Sequence, residues 1–438
     1  MVEHGSADVL VVGAGVLGVS VAYWLSSNYD CTIALADLSQ SAGMHTSSRN
    51  TGVIHRPFYL DPRKKRVFAQ ASLVSRPLWE GLAKDAGLPW KPVGTYNVAL
   101  DETEVRTLEQ YRRWGVENGM KESEMELLDG RGVRSQEPQV SCRAGLLSRT
   151  DVSVDFGAFT RRIWNVISAR GVRFLGGNEV VSIEKEGDKV LAGIRAGSGL
   201  TAVRCRFLIN AAGGGALRIA HRFGLAEEYS VLHFRGEYWV VDEPFASQVS
   251  TNIYRPPKFP KYPFLDPHFV VRADGSRQIG PNAVVVPGPY VYSGVGLSRF
   301  PSFLERPVEP KVKLFSNRDF VSLVMGEWRS SLSKDAMCGR VRKFVPALRT
   351  SMLNKRAIFG VRSSIVGISG FVPEALLFKG EDSAHIINFN SPGATGAPAY
   401  SAKVIDELQS GGHLDMLVKK TETHAIPGWY FQAVASQM

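Results

Sequence analysis

The pattern of hydrophobic and polar positions in the first forty residues predicts a strand, a tight turn and a helix, in that order. An apolar run rich in β-branched residues begins after Asp8, and residues compatible with a helix continue to about Leu25. A second apolar stretch, 31–36, predicts another strand and ends at Asp37. Between strand and helix, Gly13, Gly15 and Gly18 have the G-x-G-x-x-G spacing. Together these features predict a βαβ unit that binds a dinucleotide.

Each glycine of this motif has a physical reason to be a glycine. Gly13 permits the turn, Gly15 lets the backbone approach a pyrophosphate, and Gly18 lets the helix pack against the strand. The unpaired amides at the start of the helix, around Val16, then face the phosphates, and the Asp37 carboxylate can accept hydrogen bonds from a ribose. A strand-turn-helix without a ligand is one alternative. A membrane-spanning helix is another, but the apolar run is short and its glycines would weaken a helix.

The rest of the chain alternates between helical and strand-like patterns. Helices are predicted over 63–86 (ending at Gly87), 102–119, 157–170 and 217–223; strands are predicted over 90–100, 172–175 and 207–210, with a hairpin over 179–185 and 190–196. Residues 39–53, rich in Ser, Gly and Asn, predict a loop over the ligand. The block 230–286 is strand-like, and 321–343 predicts two amphipathic helices. A strand at 386–389, a turn at 390–395 and a helix at 400–409 follow.

The order of these elements predicts an α/β nucleotide-binding domain that is discontinuous in sequence, with a second domain of α+β type. The strand at 207–210 runs into a glycine turn and a helix, which indicates that the parallel sheet resumes after an excursion. The predicted Rossmann-like domain comprises 1–89, 145–228 and 350–438. The predicted substrate-binding domain, built on a mixed sheet, comprises 90–144 and 229–349.

Composition narrows the possible functions. The 438 residues, 44% hydrophobic and 21% charged, are typical of a globular protein with two domains. The four cysteines have no C-x-x-C spacing, so no zinc or other metal site and no disulfide framework is predicted. We expect a cytoplasmic location without a leader or transmembrane segment. The net charge of +10 could attract an anionic membrane face, so peripheral contact at the membrane's inner face stays open. The basic residues, including the run 63–66, are interpreted mainly as a solvated surface, and without a nucleic-acid-binding motif we expect no nucleic-acid partner.

Motifs spread over almost the whole chain resemble those of a known flavoenzyme superfamily. Besides the N-terminal fingerprint, the resemblance lies in the segments Ser47-Ser-Arg-Asn-Thr-Gly-Val-Ile-His55, Ala211-Ala-Gly213, Phe234-Arg-Gly-Glu-Tyr238, Tyr262-Pro-Phe-Leu265, Gly280-Pro-Asn-Ala283, Arg329-Ser-Ser-Leu-Ser333, Gly360-Val-Arg362 and Ser391-Pro-Gly-Ala-Thr395. They resemble the FAD-dependent D-amino-acid-oxidase-like (DAO) superfamily, which includes glycine oxidase and sarcosine oxidase. Within it, the chain looks most similar to the L-2-hydroxyglutarate dehydrogenase/oxidase family. The resemblance implies a glutathione-reductase-like fold with FAD as cofactor.

Three departures from the family pattern bear on the substrate. After Val-Ile-His the family usually has Ala-Gly and two tyrosines, whereas this chain has Arg56-Pro-Phe-Tyr59. Where the family has Leu-Gly-Val-His, this chain has Leu265-Asp-Pro-His268. After Ser-Pro-Gly-Ala-Thr the family has small residues, whereas this chain has the aromatic Tyr400. A second reaction, FAD-dependent oxidation of an amino acid as in glycine or sarcosine oxidase, is therefore an alternative.

The resemblance implies oxidation of an L-2-hydroxy acid, most simply L-2-hydroxyglutarate to 2-oxoglutarate, with electrons passed to a quinone or oxygen. Such a reaction needs a base for the hydroxyl proton and a cation for the carboxylate. His55 and His268 are the candidate bases, because the unperturbed pKa of histidine lies near neutrality. Arg362 is the candidate carboxylate clamp. Weaker candidates for the distal end of the substrate are Arg235, Tyr238 and Tyr254. The alternatives are structural histidines, a surface salt bridge and core tyrosines.

Cofactor contacts implied by the resemblance come from every part of the predicted nucleotide-binding domain. They are Gly13, Gly15, Val16, Gly18, Asp37, Ser47, Ser48, Thr51, Gly52, Val181, Ala212, Gly213, Pro392, Gly393, Ala394 and Thr395. The amides at the start of the last helix are expected beside the flavin's pyrimidine edge, where they would stabilise an anionic reduced ring.

Overall fold

The computed structural model describes residues 2–197, 199–264, 266–294 and 305–438. Leu265, part of one resemblance segment, lies outside the described residues, as do 1, 198 and 295–304 of the predicted domains. The strands are β1 Val2–Val12, β2 Tyr29–Asp30, β3 Ile33–Asp37, β4 Val53–Ile54, β5 Thr95–Ala99, β6 Met125–Asp129, β7 Ala144–Ser148, β8 Val152–Ser153, β9 Arg173–Gly176, β10 Asn178–Glu186, β11 Lys189–Ala196, β12 Gly199–Asn210, β13 Ser230–Gly236, β14 Trp239–Val241, β15 Asn252–Tyr254, β16 His268–Val271, β17 Arg277–Gly280, β18 Val284–Val286, β19 Leu353–Arg356, β20 Gly360–Gly367, β21 Gly370–Phe371, β22 Leu376–Lys379, β23 Ser383–Ile387 and β24 Val418–Lys419. The helices are α1 Val16–Asn28, α2 Arg66–Ala86, α3 Glu102–Glu117, α4 Gly130–Gln136, α5 Phe156–Ala169, α6 Ala216–Arg222, α7 Glu309–Phe315, α8 Arg318–Leu332, α9 Lys334–Val341, α10 Gly393–Ser410 and α11 Phe431–Ala435.

The first sheet contains the predicted nucleotide-binding unit. Its strand order is β10-β11-β12-β1-β3-β9, with β23 beside β12 and β22 beside β23. β1 pairs in parallel with β3 and β12, β3 with β9, and β12 with β23. The carboxyl ends of these strands meet at one edge of the sheet, which is where ligands bind in open α/β sheets. This confirms the predicted Rossmann-like fold, and the antiparallel β10–β11 hairpin is also as predicted.

Large aromatic side chains hold the helices against this sheet. Trp24, Trp79 and Trp429 are fully buried, and the Trp24 and Trp429 rings stack 5.4 Å apart. The indole N–H of Trp24 donates to the carbonyl oxygen of Pro398 at 2.9 Å, and that of Trp79 donates to the carbonyl oxygen of Thr395 at 2.7 Å. Because both acceptors lie in α10, these bonds fix the start of α10 relative to α1 and α2.

Two further sheets form the other side of the molecule. One is mixed, with the order β19-β14-β17-β16-β15-β5-β7-β6, and the other has the order β18-β13-β20-β21. β7 and β19 hydrogen-bond within the mixed sheet, and β20 pairs with β13. Sheet membership therefore favours placing 144–148 and 353–367 with the substrate side, and the domain boundaries stay a proposal.

Local differences from the predicted elements have local causes. α10 begins at Gly393 instead of 400, because glycine and alanine are tolerated in a first turn whose amides need no partner within the helix. β12 begins at Gly199 because its early residues pair with β11 as an extension of the hairpin. α2 ends at Gly87, with φ of 62°, as predicted, and the two helices predicted over 321–343 are α8 and α9. In the described part of the chain, no helix combines the length and the apolar character needed to cross a membrane.

Candidate active site

The turn between β1 and α1 has room only for glycine at two positions. Gly13 has a φ of 105°, and a Cβ there would lie 2.4 Å from the carbonyl oxygen of Ala211. A Cβ on Gly18 would lie 1.8 Å from the carbonyl oxygen of Gly13. α1 has no acidic residue in its first turn, and the hydroxyl oxygen of Ser47 accepts a hydrogen bond from the amide of Val16 at 2.9 Å. This close backbone approach and the positive end of the helix, which has no acidic side chain in its first turn, fit a pyrophosphate.

Asp37 stands at the end of β3, as the motif requires. One carboxylate oxygen accepts from the amide of Ala14 and the other from the amide of Ser39, both at 2.7 Å. The carboxylate thereby joins the glycine turn to the loop that follows β3. Each oxygen has a second lone pair, so acceptors remain for a ribose hydroxyl.

Residues of all three sheets line a cavity of about 300 Å³. Of the candidate site residues, those lining it are Gly15, Val16, Ser47, Thr51, Gly52, His55, Gly213, Tyr238, His268, Arg362, Pro392, Gly393, Ala394 and Thr395. Those that do not line it are Gly13, Gly18, Asp37, Ser48, Val181, Ala212, Arg235 and Tyr254. Among the described residues no Asp or Glu lines the cavity, whereas Arg49 and Arg362 do, so its charge favours an anionic ligand.

His55 is held by a buried carboxylate, that of Asp151. Nδ1 of His55 lies 3.2 Å from Oδ2 of Asp151, which is 0% exposed. Asp151 also accepts hydrogen bonds from the hydroxyls of Thr95 at 3.0 Å and Ser148 at 2.5 Å, and from the amide of Arg56 at 3.3 Å. Since an ionised carboxylate only accepts, this network places the proton of the neutral ring on Nδ1 and leaves the lone pair on Nε2.

His268 has a different environment on the same cavity. Its Nδ1 donates to the carbonyl oxygen of Asp266 at 3.2 Å, and its buried Nε2 has no hydrogen-bond partner among the described residues. The ring of Tyr254 stacks on it at 3.9 Å, so Tyr254 supports His268 from outside the cavity lining. Burial lowers the pKa of His268 to about 3, and the nearby His55 lowers it as well. Near neutral pH, His268 therefore presents an unprotonated acceptor.

Arg362, on β20, has no carboxylate partner among the described residues. Its Nη1 donates to the carbonyl oxygen of Pro263, and the acidic groups that act on it are the hydroxyls of Tyr59 and Tyr238. Burial lowers its pKa, and the residue lines the cavity. A desolvated guanidinium without a counter-ion is costly. This environment suits the binding of an anion and differs from the surface salt bridge considered as an alternative.

A second cation lies near Arg362. Burial and the charge of Arg362 lower the pKa of Lys65 to about 8, while the charge of Glu374 raises it. Lys65 belongs to the basic run 63–66, which the sequence pattern assigned mainly to a solvated surface. A charge pattern alone cannot distinguish an enclosed lysine from its exposed neighbours in such a run.

Arg235 and Tyr238 come from one motif but have different positions. The hydroxyl of Tyr238, on the cavity, lies 2.9 Å from Oγ1 of Thr51. Arg235 is buried outside the lining, and its Nε and Nη2 donate to one carboxylate oxygen of Glu237 at 3.0 and 2.8 Å. This pairing of residues i and i+2 at the end of β13 favours a structural role for Arg235.

The first turn of α10 is tied to the His55 loop. Oγ1 of Thr395 accepts from the amide of His55 at 3.3 Å and donates to the carbonyl oxygen of Val53 at 3.4 Å. Arg272 holds the preceding loop, because its Nη1 donates to the carbonyl oxygens of Asn50, at 2.8 Å, and Thr51. Arg272 and Asp151 organise the site but belong to no spacing motif. Each has other charged residues within a few positions, so the sequence does not distinguish it from its neighbours.

Comparisons with known proteins show the family to which the chain belongs. The sequence model of a family of FAD-dependent oxidoreductases, DAO, matches residues 8–408. The chain is 27% identical over 405 residues to L-2-hydroxyglutarate dehydrogenase of Escherichia coli (strain K12), which covers 92% of this chain and 93% of that protein. It is 24% identical over 424 residues to the mitochondrial L-2-hydroxyglutarate dehydrogenase of Homo sapiens, covering 92% and 89% of the two chains.

Solved structures show the same fold. Dithionite-reduced L-α-glycerophosphate oxidase from Mycoplasma pneumoniae with FAD bound has a TM-score of 0.72 at 21% identity, over 97% of this chain and 98% of that chain. Glycine oxidase from Geobacillus kaustophilus has a TM-score of 0.67 at 16% identity, over 92% and 95%. The predicted fold class and FAD cofactor are confirmed. The chain therefore belongs to the DAO family of FAD-dependent oxidoreductases.

Proposed function

We propose that this oxidoreductase converts an L-2-hydroxy acid to the 2-oxo acid, with L-2-hydroxyglutarate as the leading substrate. The observation that carries the proposal is one cavity lined by two groups, His55, which Asp151 holds, and the Arg362 guanidinium, which pairs with no carboxylate of the described residues. A base and a carboxylate clamp are the two groups that oxidation of a 2-hydroxy acid requires. The similarity to L-2-hydroxyglutarate dehydrogenases supports this choice of acid.

Each group has a defined task in this reaction. FAD, when bound, supplies the acceptor for the hydride that leaves C2 of the substrate. Arg362 binds the C1 carboxylate through parallel N–H donors and so orients the C2 hydroxyl. His55 takes the hydroxyl proton at Nε2, and Asp151 stabilises the resulting imidazolium through Nδ1. The substrate thereby loses one hydride and one proton and becomes the 2-oxo acid.

Of the two histidines, we assign the base role to His55. A pKa of about 3 makes His268 a poor proton acceptor near neutrality, whereas the carboxylate beside His55 stabilises the charged ring. His268 instead accepts a hydrogen bond at Nε2 and helps to orient the substrate.

The charges around the cavity favour a dicarboxylic hydroxy acid over an amino acid. Within the described residues no carboxylate lines the cavity to pair with a substrate ammonium group. Lys65 lies close enough to Arg362 for their charges to interact. Arg49 and Arg362 line the cavity, and Lys65 adds positive charge from outside the lining. This charge suits a substrate with two carboxylates, so the amino-acid oxidase hypothesis ranks second.

The candidate cofactor-binding residues can be grouped by the part of FAD that each is proposed to contact. We infer that the β1–α1 turn, with Gly13, Gly15, Val16 and Gly18, holds the pyrophosphate together with Ser47 and Gly213. Asp37, Val181 and Ala212 serve the adenosine half, and Ser48, Thr51 and Gly52 the side of the flavin ring. The first turn of α10 supplies amides at the ring's pyrimidine edge.

Anaerobic mixing of the FAD-loaded protein with L-2-hydroxyglutarate tests the proposal directly. Rapid bleaching of the flavin absorbance band is expected, whereas the D enantiomer, as matched control, should leave the band unchanged. Bleaching by glycine, sarcosine or another amino acid, without bleaching by any 2-hydroxy acid, would favour the amino-acid reaction and reject the first proposal.

We also infer that the reduced FAD passes its electrons to a quinone or to oxygen. We infer as well that the protein contacts a membrane surface peripherally. Val312, Met325 and Leu332, on α7 and α8, are 58%, 67% and 80% exposed, and Arg318 and Arg329 are exposed beside them. Apolar and basic side chains together suit an anionic lipid surface.

Sedimentation with anionic liposomes should decrease in the double variant Met325→Ser/Leu332→Ser and persist in Val418→Ser, a control 68% exposed on β24. No sedimentation at any salt concentration would reject membrane contact, and oxygen uptake with and without a quinone analogue identifies the acceptor.

A further inference from the structure

A short segment of the substrate side crosses onto the nucleotide-binding side. This segment, 287–294, follows β18 and is called the strap. Pro289 lies against the glycine turn after β12, since a Cβ on Gly214 would be 2.5 Å from the Cβ of Pro289. The hydroxyl of Tyr290 lies 3.6 Å from the Cβ position of Gly215. The strap therefore packs on one of the two loops that border a dinucleotide in this fold.

The strap also contacts the other bordering loop, which follows β3. The rings of His45 and Tyr290 are 4.5 Å apart. Nδ1 of His45 is 2.8 Å from the hydroxyl of Tyr292, and its Nε2 is 2.8 Å from the hydroxyl of Ser39. The guanidinium of Arg49 lies 4.2 Å from the ring centre of Tyr292. One aromatic segment thus joins both loops.

Tyr290 is linked by contacts to the expected adenosine end of the site: its ring lies 4.5 Å from that of His45, His45 Nε2 lies 2.8 Å from the hydroxyl of Ser39, and the Ser39 amide donates to Asp37 at 2.7 Å. Burial raises the pKa of its hydroxyl, and the charges of Asp37, Arg218 and Glu179 also act on it. Asp37 is the acid that ends β3 and marks the ribose position, and Glu179 lies at the start of β10. The flavin end, with His55 and the first turn of α10, belongs to the main cavity, whose lining does not include Tyr290.

The buried ion pair of Arg235 and Glu237 anchors the far end of the strap. Nη1 of Arg235 donates to the carbonyl oxygen of Gly294 at 2.5 Å, while the other guanidinium nitrogens bind Glu237. This bond ties the end of the strap to β13.

We propose that the strap is part of the FAD site and that the ring of Tyr290 binds the adenosine half of the cofactor. Aromatic side chains stack on bases regardless of base identity, and this contact is independent of the flavin ring. The substrate side of the chain would then contribute to FAD affinity through a residue remote from the chemistry. Because FMN lacks the adenosine half and ADP lacks the flavin half, the two ligands separate this contact from the rest of the site.

The test is titration of the apoprotein with FAD, ADP and FMN by calorimetry, with no turnover needed. Tyr290→Ala should raise the Kd values for FAD and ADP by roughly 10-fold or more, and leave the FMN value within about 2-fold. Tyr290→Phe keeps the ring and should keep wild-type affinity. Tyr430→Ala, at a tyrosine 48% exposed outside the site, is the matched control.

Two results would overturn the proposal. Unchanged FAD affinity in folded Tyr290→Ala would remove the contact, and an equal loss for FMN and ADP would show that Tyr290 acts on the fold as a whole. If the alanine variant is insoluble, Tyr290→Leu keeps most of the buried apolar volume without an aromatic face and must show the same selective loss.

Discussion

Replacing Arg362 by methionine removes the proposed carboxylate clamp while retaining a long side chain. We expect kcat/KM for L-2-hydroxyglutarate to fall strongly and FAD to stay bound, because the substitution breaks no ion pair with a carboxylate of the described residues. Stability should not fall with activity. The wild-type protein bears the cost of a desolvated guanidinium without a counter-ion, and methionine removes that cost.

The size of the activity loss follows from the bonds that are lost. A hydrogen bond to a charged group contributes about 1.5–3 kcal/mol, and a bidentate clamp makes two. The combined loss of about 3–6 kcal/mol corresponds to a decrease in kcat/KM of roughly 10²- to 10⁴-fold. Because the burial of Arg362 limits screening by solvent, we expect a decrease in kcat/KM in the upper part of this range.

Steady-state kinetics and thermal unfolding measure the two effects separately. Arg161→Met, at an arginine whose side chain is 49% exposed, is the matched control and should change neither. A substrate analogue in which an amide replaces the C1 carboxylate tests the same contact by changing the substrate. Turnover of this amide should depend little on Arg362. A kcat/KM within about 3-fold of wild type, or an equal loss for acid and amide, would refute the clamp.

Two other predictions concern buried polar groups. Asp151→Asn should lower kcat by roughly 100-fold or more, because an amide that donates to Nδ1 of His55 imposes the wrong tautomer on that ring. Steady-state kinetics measure this, with Asp155→Asn as the control. A kcat near wild type would contradict the prediction. Burial lowers the pKa values of His233, His268 and His385 to about 3, 3 and 4, from 6.5. Below pH 6.5 these three histidines therefore bind more protons in the unfolded chain than in the folded one. The free energy of unfolding should fall as the pH drops towards 4, by up to about 1.4 kcal/mol per pH unit for each histidine. Urea unfolding at pH 7 and 5.5 measures this, and equal stabilities would contradict it.

The local order of strand, glycine turn and helix was predictable from sequence because its causes are local. Apolar periodicity distinguishes strand from helix, the positive φ of Gly13 is a property of the turn itself, and the steric limit at Gly18 comes from Gly13, five residues earlier. The return of the chain to the parallel sheet at β12 was predictable for the same reason, since a second strand leads into a second glycine turn. These signals, with the family motifs, were enough for the fold class and the FAD cofactor.

Contacts between distant residues were decided only by the tertiary structure. Asp151 meets His55 across 96 positions, and Tyr292 meets His45 across 247. Neither pair has a spacing rule, because the contact depends on how separate sheets pack. Tyr238 and Arg235 belong to one motif, but Tyr238 lines the cavity whereas Arg235 pairs with Glu237 away from it. Sequence periodicity determines which face of a strand a side chain occupies, whereas the packing of the sheets determines what that face meets.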